Sequence, residues 1–282
     1  MRWCERDGVR WLAADLPSVG AANGGARAAF STRLGGVSEG PFASLNLGRL
    51  TGDLPDAVRE NRHRLAAAIE IDPELVLIGR QVHGAEVVRH TRPPEPRVFA
   101  NPAPGLPEAD GQATARRDLA PLVLVADCLP VALAGPAGVA MIHCGWRGLA
   151  AGIVERGVDE VEAEAAAVGP GIGPCCYEVG DEVLVAFERL GLDVAEGRML
   201  DLRRAARGLL ERAGVEAVEV SEECTSCQPE LLFSHRRDGE RTGRQAGLVW
   251  ASDEVAVQAA KPAATQAPKP AAPGGEAEEA AE

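Results

Sequence analysis

Between positions 119 and 143 three short apolar runs, 119–126, 131–134 and 138–143, follow one another with only turn formers between them. Runs of this length bounded by Asp, Pro and Gly read as strands. A link as short as Gly135-Pro136-Ala137-Gly138 permits only an antiparallel return, because a parallel pair needs a crossover of a dozen residues or more. The runs 75–82 and 85–90 meet in the same way at His83-Gly84, and a later strand is expected at 215–220. Hairpins of this kind exclude a chain of alternating βαβ units. The expected fold class is α+β, with mixed β-sheets and helices packed on the outside of a single compact domain.

The first helix is expected over 54–70, where Asp53 can cap, Pro55 sits in the first turn, and Val58, Leu65, Ala66 and Ile69 share one face. Further helices are expected near 149–166, 180–190 and 199–213. Proline density over 92–109 forbids regular helix or central strand and marks a surface loop. Beyond about Val255 the chain is Ala, Pro, Gln, Lys and Glu without apolar periodicity. The domain should therefore occupy 1–253, and 254–282 should be a disordered tail.

Hydrophobic residues make up 46% of the chain but aromatics only 4%, so the core should be aliphatic. A net charge of −13 disfavours a nucleic-acid surface, which needs clustered cations to neutralise phosphates. No run reaches the roughly 18 apolar residues of a membrane span, and the polar N-terminus has no signal-peptide pattern. A cytoplasmic protein with no nucleic-acid or membrane partner is expected. Seven cysteines without a secretory signal read as reduced thiols. Cys224-Thr225-Ser226-Cys227 has C-x-x-C spacing, compatible with redox chemistry, a second metal or small core residues. Vicinal Cys175-Cys176 follows a run of turn formers and reads as a rigid loop.

His83, Cys128 and His143 each stand at the end of an expected strand beside a tight turn. Two imidazoles and a thiolate form a three-ligand set, which leaves a metal one open position, as catalytic zinc sites do. Gln81 precedes the first ligand, Asp127 precedes the second, and Trp146 and Arg147 follow the third. Asp127 suits either proton transfer or support of a metal histidine. Cys144 should face away from His143, since neighbours on a strand point to opposite faces.

Seven segments then follow in order: Ser31 to Ser38, Leu45-Asn46-Leu47-Gly48, Gln81-Val82-His83-Gly84, Ala126 to Val131, His143-Cys144-Gly145-Trp146-Arg147-Gly148, Gly173 to Gly180, and Ser234 to Gln245. Together they resemble the YfiH, or laccase-domain-containing purine nucleoside phosphorylase, family across about 27–250. The resemblance places the metal on His83, Cys128 and His143, with zinc as the expected ion and copper as an alternative. It implies an enzyme for phosphorolysis of adenosine, inosine and methylthioadenosine, with adenosine deaminase activity, so that the partners are a small nucleoside and phosphate. Arg33 and Arg147, in glycine-rich loops, are the candidates for the anion. With Asp127 they form the expected catalytic set, and Asn46, Gln81, Trp146 and Arg236 are the expected substrate contacts. Two departures from the family pattern are Cys144, where Ala is usual, and His235, where Tyr is frequent.

The same residues leave two other chemistries open. Cys128 activated by His83 or His143 would make a cysteine hydrolase, a reading that suits the editing of peptidoglycan precursors. Copper at the site would suit phenol oxidation, although a multicopper cluster needs more histidines than the five present.

Overall fold

The computed structural model describes residues 1–17, 25–95, 97–101 and 106–253. The expected tail at 254–282 and part of the proline-rich segment lie outside them. The chain opens with strands β1 (Arg2–Arg6), β2 (Val9–Leu16) and β3 (Gly25–Ser31), then helix α1 (Pro55–Ile69). Short strands β4 (Val76–Leu77), β5 (Val87–His90) and β6 (Gly111–Thr114) lead to β7 (Ala120–Val125), β8 (Leu129–Gly135) and β9 (Gly138–Cys144). Next come α2 (Trp146–Ala150), α3 (Ile153–Val161), β10 (Ala165–Val168) and α4 (Asp181–Arg189). The small hairpin β11 (Ala195–Glu196) and β12 (Met199–Leu200) precedes α5 (Leu202–Arg212) and β13 (Ala217–Val220). Helix α6 (His235–Asp238) and strand β14 (Gln245–Ser252) complete the described chain.

Two mixed sheets result, in the orders β1-β2-β3-β14-β7-β4 and β13-β10-β8-β9-β6-β5. Antiparallel pairs dominate both, with parallel pairs at β4–β7, β5–β6 and β10–β13. Alternation of side chains along each strand gives every sheet two buried faces. Ala132, Ala134 and Met141 of one sheet meet Phe30, Val123 and Val249 of the other in the central core. Leu133, Ile142 and Val131 face outward, beneath Ile153, Val154 and Val158 of α3 and Leu209 and Leu210 of α5. Leu122 and Leu248 face the opposite way, beneath Leu65, Ala68 and Ile69 of α1. The layers run helix, sheet, sheet, helix, which is the expected α+β class. At nine residues, α3 is too short to persist alone. Burying each of its Ile and Val side chains contributes on the order of 1.5–3 kcal/mol, enough to dock it.

Three local expectations need correction. The runs before and after His83-Gly84 do not form a hairpin, because β4 joins one sheet and β5 the other. The expected helix over 149–166 is broken at Gly152, whose φ of 86° is left-handed, and its last residues enter β10 between β8 and β13. Asp53 does not cap α1, whose N-cap is Leu54. Its carboxylate accepts hydrogen bonds from Ser38 and Asn46 instead.

Candidate metal centre and adjoining cavity

Two of the three candidate ligands lie where the chain passes from one sheet to the other, and the third lies near a strand end beside them. His83 lies on the link from β4 to β5, Cys128 on the turn from β7 to β8, and His143 near the end of β9. One potential ligand atom from each lies within 4.8 Å of the others. The two imidazole rings meet edge to face with centroids 4.9 Å apart. His83 and Asp127 hold left-handed backbone angles, φ 62° and 104°, which non-glycine residues seldom adopt outside constrained sites. Gly145 must lack a side chain, because a Cβ there would stand 2.9 Å from the Cys128 sulfur.

A buried carboxylate holds this arrangement together. Asp110 Oδ1 lies 2.8 Å from His143 Nδ1 and also accepts the His83 backbone N–H at 2.9 Å. Its Oδ2 accepts the N–H groups of Val82 and Gly84 at 3.0 and 2.8 Å. One carboxylate thereby orients one histidine and fixes the loop that presents the other. Burial disfavours the charged form of Asp110, but these hydrogen bonds outweigh it and lower its pKa. Burial likewise works to raise the Cys128 thiol, yet His143 and His83 bring it down to about 6. His143 is desolvated too, and Cys128 with Asp110 holds it up at about 9. The pair is thus disposed towards thiolate and imidazolium.

The donor set fits a metal ion. Asp110 occupies one nitrogen of His143 and leaves the other to face the thiolate, the usual arrangement for a metal histidine. Three donors leave an open coordination position, and imidazole with thiolate suits zinc or copper. Cys144 points the other way, into the aliphatic core under the helices, where burial pushes its thiol up.

A cavity of about 560 Å³ opens over the three candidate ligands. Gln81, Asp127, Trp146, Arg147 and Arg236 line it, so five further expected site residues gather here. The Arg147 guanidinium lies over the Trp146 ring at 4.3 Å and makes no hydrogen bond to the described residues. Arg236 lies over Tyr177 and donates to the Glu178 carbonyl at 2.9 Å. The Gln81 amide is already engaged, donating to the Leu124 carbonyl at 2.7 Å and accepting the Leu124 N–H at 2.8 Å. Support of the candidate metal histidine His143 falls to Asp110 and not to Asp127. The Asp127 oxygens accept the Thr225 hydroxyl at 2.5 Å and the Arg236 N–H at 2.6 Å.

Two expected site residues do not join the lining. Arg33 donates to the carbonyls of Ala43 and Pro229 at 2.6 and 2.7 Å and stacks on Phe233, so it pins loops rather than an anion. Asn46 is fully buried, and its amide holds Gly48, Thr51, Asp53 and the backbone N–H of Arg244. It positions Arg244, which does line the cavity. Asp110 and Arg62 were not foreseen. The Arg62 guanidinium is buried against the carbonyls of Leu47, Val98 and Phe99, and burial lowers its pKa to about 10. Tyr177 stands in one of the quoted segments without having been singled out, although it is the chain's one tyrosine.

Residues 27–252 match the family model described as multi-copper polyphenol oxidoreductase laccase. The chain is 40% identical over 243 residues to the purine nucleoside phosphorylase YfiH of Escherichia coli, covering 80% of this chain and 94% of that protein. It is also 40% identical over 258 residues to the purine nucleoside phosphorylase PA4543 of Pseudomonas aeruginosa, covering 86% and 99%. Among solved structures, YlmD from Geobacillus stearothermophilus superposes with a TM-score of 0.77 at 35% identity, covering 88% of this chain and 97% of that one. Neisseria meningitidis protein NMB0706 gives 0.71 at 36% identity, covering 86% and 98%. With its ordered motifs, its two-sheet fold and relatives of this extent, the chain belongs to the YfiH-type laccase-domain family.

Proposed function

We propose that this protein is a metal-dependent purine nucleoside phosphorylase. The observation that carries the reading is a nucleoside-sized cavity with two imidazoles and a thiol clustered on its floor and, in its wall, an arginine whose guanidinium makes no hydrogen bond to the described residues. In phosphorolysis a phosphate oxygen bonds to the ribose C1′ as the C1′–N9 bond breaks. The electron pair leaves with the purine, which takes up a proton. Arg147 holds the phosphate, since a guanidinium fork matches its oxygens, and Arg236 adds positive charge from the side of Tyr177. Asp127 fixes Arg236 through its backbone N–H. Each Asp127 oxygen keeps further lone-pair capacity, so this carboxylate can take a proton from the bound dihydrogen phosphate and pass it to the leaving purine.

His83, Cys128 and His143 would hold zinc, with copper as the alternative ion, and Asp110 sets the orientation of His143. When bound, the metal supplies Lewis acidity at the cavity floor. Adenosine, inosine and methylthioadenosine are the proposed phosphorolysis substrates, with hydrolytic deamination of adenosine as a second activity. The test follows adenosine with and without phosphate. Adenine and ribose 1-phosphate appearing only with phosphate support phosphorolysis, and inosine formed without phosphate supports deamination. Absence of both products with the zinc-loaded protein would refute the proposal.

A second reading draws on the order Cys128, His143, Asp110, which has the layout of a nucleophile, a base and its orienting acid. A cysteine hydrolase of that kind forms a thioester at Cys128. Trapping that thioester in metal-free protein by mass spectrometry would favour it over the metal centre.

A further inference from the structure

Four of the seven cysteines come together away from the cavity floor. The turn from Gly173 to Cys176, closed by the Cys176 N–H on the Gly173 carbonyl at 3.0 Å, presents Cys175 and Cys176. The facing turn presents Cys224 and Cys227 and is tied to the first by the Thr225 N–H on the Gly171 carbonyl at 3.1 Å. All four sulfurs lie within 4.8 Å of one another. Cys227 Sγ is 3.5 Å from that of Cys175 and 3.4 Å from that of Cys176. A disulfide would require about 2.05 Å, and each of the four is a free thiol.

We propose that Cys175, Cys176, Cys224 and Cys227 form a second, closed metal site that binds Zn²⁺ through four thiolates. With zinc–sulfur bonds of about 2.3 Å, tetrahedral geometry sets sulfur–sulfur edges of about 3.8 Å. The two separations from Cys227, 3.5 and 3.4 Å, need to lengthen by only a few tenths of an ångström to meet that edge, and no other pair is more than 4.8 Å apart. Cys227 stands at nearly equal distances from two partners, which suits a four-cornered centre better than one preferred disulfide. The C-x-x-C turn at 224–227 has the spacing of common zinc-ligand turns. Four protein donors leave no open position, so the role is structural. The ion joins two loops that reach the cavity: Tyr177 follows Cys176, and Thr225, inside the second turn, donates to Asp127. Arg237 reinforces that turn by donating to the Thr225 carbonyl at 2.7 Å.

The site is independent of His83, Cys128 and His143, and metal counting separates the two. Protein purified under reducing conditions should hold about two zinc ions per chain, and a His83→Ala/His143→Ala variant about one. X-ray absorption at the zinc edge of that variant should then show four sulfur neighbours at about 2.3 Å. Cys224→Ser with Cys227→Ser should remove this ion and leave the other. In the wild-type protein, alkylation of the four thiols should become fast only after a chelator is added, a readout that needs no variant to fold. Loss of all zinc in the histidine variant, nitrogen neighbours around its remaining zinc, or alkylation indifferent to the chelator would each overturn the proposal.

Discussion

Asp110 Oδ1 accepts from His143 Nδ1 at 2.8 Å while its carboxylate also accepts three consecutive N–H groups from the loop that carries His83. The loop and the strand bearing two of the three candidate metal donors therefore share one anchor. Four donors converge on two oxygens. Asp110→Asn keeps the volume but leaves one acceptor oxygen, so it should weaken zinc binding by about 10–100-fold. A stranded buried donor should also cost about 1–3 kcal/mol of stability. Competition titration with a zinc chelator and a denaturant melt measure the two effects. Lost stability with unchanged zinc affinity would make Asp110 a loop anchor alone.

Cys128 and Cys144 have opposite surroundings although Cys128 immediately precedes β8 and Cys144 ends its neighbour β9. Cys128 faces the two histidines, and Cys144 lies fully buried in the aliphatic core. Cys128→Ala should abolish binding at the three-donor site, with the Cys224→Ser/Cys227→Ser background used to count that ion alone. Cys144→Ala should keep the ion and lose only packing, on the order of 1 kcal/mol. Metal analysis after gel filtration decides between these outcomes, and full retention by Cys128→Ala would remove it from the ligand set.

Arg147 and Arg33 were equivalent candidates on sequence, and geometry separates them. Arg147 lines the cavity, whereas Arg33 is spent on the carbonyls of Ala43 and Pro229. If phosphate is held by Arg147, Arg147→Ala should raise the KM for phosphate by about 10-fold or more, the value of one charged hydrogen bond. Arg33→Ala should lower the melting temperature with little change in that KM. Steady-state kinetics with phosphate varied at saturating nucleoside test both, and an effect at Arg33 alone would reverse the assignment.

Much of this architecture was legible because strands buried on both faces read as continuous apolar runs, as in β7, β8 and β9. Cys128 and His143 stood out as candidates because they lie beside such runs, whereas His83 lies on the link beyond the short β4. The segment Ala165–Val168 has the composition of a helix, but pairing on both sides, with β8 and β13, overrides that local preference. His83-Gly84 has the look of a hairpin turn, and only the sheet assignment of its flanking strands shows a crossing. Asp110 carries no local signal, since its importance arises from a loop 26–28 residues away in the chain. Asn46 and Arg33 stand in segments that resemble the family, yet they act through backbone groups around the cavity instead of within it.

Gly169 tests the packing between the two sheets. It follows β10, and its N–H reaches the Pro130 carbonyl on β8 at 2.8 Å. A Cβ at this position would stand 2.3 Å from the Phe30 ring, which is fully buried on the opposing sheet. Such an approach forces the ring or the backbone to shift, so Gly169→Ala should destabilise by about 1–3 kcal/mol, the usual range for overpacking. If the ring is the cause, Phe30→Leu should recover part of that loss in the double variant, although alone it leaves a cavity. Contacting residues couple in this way, by about 0.5–3 kcal/mol. Chemical denaturation of the four proteins in the cycle gives the coupling directly, and additive losses would place the strain of Gly169→Ala in the backbone instead.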